Sequence, residues 1–192
     1  MPLTRRTLLG AGAAALALGP TSAAHAYQVP PEHMPVVLRL RQAYAPGEIH
    51  VDPNGFHLYW TLEDGRAIRY VVGVGRSGLY ESGTFTVGRK AKWPSWTPTP
   101  AMIKRSPEQY EQYADGVPGG PTNPLGARAL YLYNARGFDT ALRIHGTPQP
   151  WTIARAVSNG CARLVNAHII DLYDRVPVGT RVVLHPKRAA GA

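Results

Sequence analysis

The chain holds one cysteine, Cys161, in 192 residues. No disulfide can form within it, so the fold must stand on its hydrophobic core. Acidic residues are scarce: 12 Asp and Glu against 21 Lys and Arg leave a formal charge of +9. Such a balance favours anionic partners, among them membrane surfaces and acidic polymers. There is no HExxH, no CxxC and no carboxylate–histidine cluster. Nothing therefore points to a metal site, and no motif asks for an organic cofactor. No G-x-S-x-G elbow is present, so Ser158 in "VSNGC" is not read as a nucleophile. Basic residues are scattered and form no nucleic-acid recognition motif. Internal repeats and low-complexity linkers are absent as well. One apolar run stands out, from about Leu8 to Leu18, and it is too short to span a bilayer comfortably.

That run sits inside "MPLTRRTLLGAGAAALALGPTSAAHAYQ". Arg5 and Arg6 precede it, and Ala24-His25-Ala26 offers a small-x-small cleavage pattern. Residues 1–26 are thus expected to be a secretory signal peptide. Thr4-Arg5-Arg6-Thr7-Leu8 looks like a twin-arginine signal; the alternative is an ordinary signal with two arginines. No cysteine lies near the cleavage region, which weighs against a lipid anchor. Removal leaves residues 27–192 at about +7, enough for one domain with its own core and no membrane segment.

The remaining chain is punctuated by 20 glycines and 18 prolines, which suits many short strands. Residues 27–46 are Pro-rich and are expected to form an extended N-terminal segment with a short helix. "EIHVD", "FHLYWTL" and "AIRYVVGVG" read as an antiparallel meander joined by "PNG" and "EDG" turns. "GTFTVG" is another strand. The tract from Arg89 to Asn123 reads as a long functional loop holding Trp93 and Trp96. "RALYLYN" and "TALRIHG" alternate with period two, so His145 lies on the face opposite Leu142 and Ile144. "NAHIIDLYDRV" reads as a helix with Asn166 at its N-cap, and "GTRVVLHP" as the closing strand. The expected product is one mainly β domain over residues 47–186, antiparallel and sandwich- or barrel-like, with one or two short helices and a tail at 187–192.

A lone cysteine in an exported chain is either buried and inert or a reactive thiol. Gly160 before Cys161 permits unusual backbone angles and close approach of a ligand. The N–H groups of Gly160 and Cys161 are candidates for an oxyanion hole. Arg163 supplies a nearby cation, which favours a thiolate. His145, at a strand end, is the candidate base; by spacing alone it also fits a structural histidine.

The segment "HGTPQPWTIARAVSNGCARLVN", His145 to Asn166, resembles the signature of the L,D-transpeptidase (YkuD-type) family. "GVPGGPTNPLGARALYL" before it and "DLYDRVPVGTRVVL" after it continue the likeness, and "GTFTVGRKAKWPSWTPT" is similar to the Gram-negative ErfK/YbiS/YcfS-like branch. The resemblance implies a single mainly β catalytic domain in the periplasm. It implies a cysteine that attacks the amide before the terminal D-alanine of a peptidoglycan tetrapeptide stem, and a thioester resolved by an amine of a second stem. A wall-anchored lipoprotein is an alternative acceptor, and exchange, hydrolysis or plain wall binding are alternative outcomes. By match, Cys161 is the nucleophile, His145 the acid–base, and Gly146 orients the imidazole through its carbonyl. Ser158, Asn159, Gly160 and Arg163 line the nucleophile loop. Trp93, Trp96 and Trp151 are candidate walls of the substrate cleft, and packing in the core or a lid fits them equally. Asn159 stands where many relatives carry His or Ser, Ala154 where the branch usually has Gly, Ala162 where a larger apolar residue is common, and His168 where many have Asp.

Overall fold

A computed structural model describes residues 27–188. The signal-peptide reading over 1–26 and the last four residues of the tail lie outside the described residues. After a 3-10 turn at Pro31–His33, strand β1 (Val36–Arg39) opens the structure. β2 (Ile49–Asp52), β3 (His57–Thr61) and β4 (Arg66–Val71) follow as the expected meander. β5 (Val74–Gly75) is a two-residue strand, and β6 (Gly83–Lys92) is long. Helices α1 (Pro100–Arg105) and α2 (Pro107–Tyr110) come next, then a 3-10 turn at Glu111–Tyr113. β7 (Arg128–Tyr133) and β8 (Asp139–His145) lead to a 3-10 turn at Pro150–Thr152. The chain finishes with β9 (Ala156–Ser158), β10 (Ala162–Arg163), α3 (Asn166–Arg175) and β11 (Arg181–Leu184).

Nine strands form one sheet in the order β1-β4-β3-β2-β11-β6-β7-β8-β10, and β5 pairs with β9 beside it. The domain is mainly β with few short helices, as the sequence indicates. It is mixed rather than wholly antiparallel: β2 with β11, β8 with β10 and β5 with β9 run parallel. The sheet stays open rather than closing into a barrel. Parallel neighbours need long crossovers, and residues 146–161 supply the one between β8 and β10. The N-terminal extension adds β1 to the sheet edge along β4.

Alternation along the strands turns Ile49, Val51, Leu58, Tyr70, Leu130, Leu132, Ile144 and Val182 into one core. Helix α3 covers it with Ile169 and Leu172. Asn166 is the first helical residue and not the N-cap; Val165 occupies that position in extended backbone. The Asn166 carboxamide is used elsewhere, as described below. At the other end of α3, the Lys90 ammonium donates to the carbonyls of Tyr173 (2.6 Å) and Val176 (2.5 Å). A cation there satisfies carbonyls that the last turn leaves unpaired.

The expected long loop is shorter and more structured than its composition suggests. β6 continues to Lys92, and the tract folds over a Trp96–Val117 bridge into α1 and α2. The Thr99 side chain accepts from the Met102 N–H while Pro100 opens α1. Both are helix-start signals visible in the sequence.

Candidate active site

Strands β8 and β10 build the floor of an open cleft of about 960 Å³. Their parallel register sets Ala162 beside Ile144 and Arg163 beside His145. Ala162 and Ile144 enter the core, so Arg163 and His145 take the opposite face. Cys161, one residue before β10, joins them: Cys161, His145, Arg143 and Arg163 all line the cleft. The α1–α2 tract forms a second wall with Trp96, Met102, Arg105 and Tyr110.

His145 is 5% exposed. Its Nδ1 lies 2.6 Å from the Gly146 carbonyl oxygen. A carbonyl only accepts, so Nδ1 carries the proton and Nε2 keeps its lone pair in the neutral ring. Burial drives the imidazole down to about 3, helped by the charges of Arg163 and Arg143 and opposed by the Gly146 and Leu125 carbonyls. Cys161 is half-buried, and burial pushes its thiol up. The Arg143 backbone N–H and the charges of Arg143 and Arg163 pull it the other way. At neutral pH the pair is therefore uncharged at rest. The thiol approaches the Ala141 carbonyl at 3.9 Å, and among the described residues no hydrogen bond joins it to His145. Ala141 has φ +61 beside a register shift in the β7–β8 pairing, and bulges of this kind re-aim backbone groups next to sites.

The loop before Cys161 is closed by Ser158. Its hydroxyl donates to the Cys161 carbonyl at 2.6 Å and accepts from the Gly160 N–H at 3.3 Å. The Gly160 amide is thus engaged, and the Cys161 amide has no acceptor among the described residues. Gly160 adopts φ +131, where a Cβ would meet the Leu79 carbonyl oxygen at 3.0 Å and Leu142 at 3.1 Å. Arg163 donates to the Thr152 hydroxyl at 3.0 Å, while its buried Nε has no partner. Arg143 is held by Asp139 through two contacts at 2.6 and 2.9 Å.

The tryptophans separate. Trp96 lines the cleft and packs against Tyr110 and Tyr113. Trp151 is 58% exposed on its 3-10 turn, and neither it nor Trp93 lines the cleft. The Pro150–Thr152 turn presents Thr152 to the cleft and leaves Trp151 exposed on its outer side.

Other contacts around the site left no signal in sequence spacing. Asn166 accepts from the Ala127 N–H at 2.9 Å, and its oxygen lies where a Cβ on Gly146 would be. This side chain holds the turn that follows His145. Asn159 donates to the Tyr110 hydroxyl at 2.8 Å and accepts from Arg76 at 3.0 Å and Arg105 at 2.8 Å. It joins the nucleophile loop to the α1–α2 wall. Ala154, where glycine is usual in the resembling branch, has φ +59. His168 is buried on α3, and Tyr70 beside it hydrogen-bonds Asp171. Among the described residues no group of three or more His, Cys, Asp or Glu is placed to hold a metal, and no helix is long and apolar enough to cross a membrane.

Fold and site together define a single mainly β domain that carries an imidazole at the end of β8 and a thiol one residue before the parallel strand β10. The chain belongs to the YkuD family, described as the L,D-transpeptidase catalytic domain, whose sequence model matches residues 46–184. It is 38% identical over 137 residues to the probable L,D-transpeptidase ErfK/SrfK of Escherichia coli, covering 70% of this chain but 42% of that protein. A putative L,D-transpeptidase of Fuscovulum blasticum, encoded in an ATP synthase subunit region, is 33% identical over 88% of this chain and 94% of its own length. A crystal structure from Brucella melitensis, described as a probable carnitine operon oxidoreductase, shares 44% identity at a TM-score of 0.56, covering 82% of this chain and 96% of that one.

Proposed function

We propose that this protein is a peptidoglycan L,D-transpeptidase with Cys161 as nucleophile. The observation that carries the reading is the β8–β10 register, which brings His145 and Cys161 into one cationic cleft. Family membership and relatives named as L,D-transpeptidases support it. The donor is a tetrapeptide stem. As its carbonyl carbon bonds to Sγ, His145 Nε2 takes the thiol proton, and the imidazole then hands it to the departing D-alanine amine. The thioester formed is resolved when an acceptor amine attacks, giving up its proton to His145 and restoring the thiol. Because imidazole and thiol are both neutral at rest, the ion pair forms only as substrate excludes water and the carbonyl oxygen gains charge. The Cys161 N–H is the backbone donor offered to that oxygen. Arg163 and Arg143 stabilise the thiolate on the way. Export to the periplasm, by the twin-arginine route, brings the site to its polymer.

The test is incubation with disaccharide-tetrapeptide muropeptides and mass spectrometry of the products, beside Cys161→Ala. A dimer lacking one D-alanine, absent in the variant, is the expected result and marks a 3→3 cross-link. Release of D-alanine without a dimer assigns hydrolysis or exchange, or a separate acceptor such as a lipoprotein. Equal product from both proteins would overturn the reading.

A further inference from the structure

Two guanidinium groups converge on one neutral oxygen, two residues before Cys161 in the chain. Arg76 Nη2 and Arg105 Nη2 donate to Asn159 Oδ1 at 3.0 and 2.8 Å. Arg76 follows β5, and its backbone N–H is fixed to the Ser158 carbonyl at 3.0 Å. Arg105 ends α1 on the opposite wall and lines the cleft with Asn159 and Cys161. Among the described residues neither arginine forms an ion pair. Glu81 is the one carboxylate lining the cleft, and it bonds neither of them. Like charges held this close repel, and an amide oxygen carries only a partial charge to offset them. A carboxylate fits the same fork better, since guanidinium donors match its two oxygens and the bonds become charge-assisted. Asn159 itself cannot supply that charge at any pH.

We propose that Arg76 and Arg105, bridged by Asn159, form a carboxylate-binding subsite next to Cys161. The proposal rests on the cleft's role as the stem-peptide site. The ligand is a free carboxylate of the acyl-donor peptide, which replaces Asn159 Oδ1 as the acceptor from Arg105. The enzyme therefore selects donors whose carboxylates are free over donors in which they are amidated. A purely structural role, pinning the α1–α2 wall to the nucleophile loop, would not distinguish the two.

The experiment uses the full chain carrying Cys161→Ala, so that binding is read without turnover. Acetate is the first probe, followed by NMR at the arginine Nε–H groups. Saturable shifts at Arg76 and Arg105 that weaken with added salt are expected. Tetrapeptide stems follow, one with every carboxylate free and others amidated singly. One amidated peptide is expected to bind about tenfold more weakly than the free peptide. Arg105→Gln should remove that discrimination, and Arg105→Lys should restore part of it. Equal weakening of free and amidated peptides by Arg105→Gln would overturn the subsite in favour of the structural role. Absence of any acetate response would overturn it too. An acetate response without binding of any stem peptide would uphold the anion site and sink the proposed substrate.

Discussion

His145 makes the fold acid-sensitive in a way that a single substitution isolates. Its imidazole is 5% exposed and held near 3, mainly by burial. In the unfolded chain the same ring titrates at the ordinary value of about 6.5. Below that pH the unfolded state binds a proton that the folded state refuses, so stability falls as pH falls. The window runs from about 6.5 down to about 3, at about 1.4 kcal/mol per pH unit. At pH 4.5 the accumulated loss is about 3 kcal/mol, or ~10 °C in Tm for a domain of this size. His50, His57 and His168 are also held low by burial and add to the slope. They remain in His145→Gln, so the difference between the two proteins reports His145 alone. Urea unfolding of both, from pH 7.5 to 4.5, is the assay. The variant starts lower at pH 7.5 because it loses the contact with the Gly146 carbonyl, and the gap closes on acidification. Parallel stability curves would show that the imidazole titrates normally in the folded protein and would refute the argument.

Two further predictions concern the support of the site. Ala154→Gly relieves a left-handed backbone at φ +59 and should raise stability by up to about 1 kcal/mol in urea unfolding, less the added entropy of glycine in the unfolded chain; a clear loss would mean that the methyl contributes packing that outweighs the strain. Asn166→Ala leaves the fully buried Ala127 N–H without its acceptor and should cost about 1–3 kcal/mol, whereas Asn166→Asp keeps an acceptor and should cost less. Equal losses in the two Asn166 variants would show that the acceptor is not what matters.

Local pattern carried much of this protein. Alternation in "TALRIHG" placed His145 opposite Leu142 and Ile144, and the structure has both leucine and isoleucine in the core. The meander and α3 were equally legible, because their periodicity is written within a few residues. What stayed hidden depends on distant partners. β9 and β10 are three and two residues long, and only their pairing with β5 and β8 makes them strands. Asn166 looks like a cap by type, yet its oxygen serves Ala127 across the domain. Which way the 3-10 turn at Pro150–Thr152 faces is likewise set at a distance, by Thr152 accepting from Arg163. The helices of the Pro-rich tract were within reach through Thr99-Pro100, a start signal obscured by the surrounding prolines.

The place of β11 has a consequence for how the chain is made. Among the described residues it is the last strand in sequence, yet it lies between β2 and β6 and hydrogen-bonds both. During synthesis every earlier strand can exist while this slot stands empty, with two bare backbone edges facing each other. The meander on one side and the catalytic strands on the other are not joined into one sheet until residues 181–184 arrive. Assembly is thus a closing event that waits for β11, dominated by contacts distant in sequence and correspondingly slow. A chain cut short before Arg181 would carry Cys161 and His145 intact and still have no continuous platform to hold them.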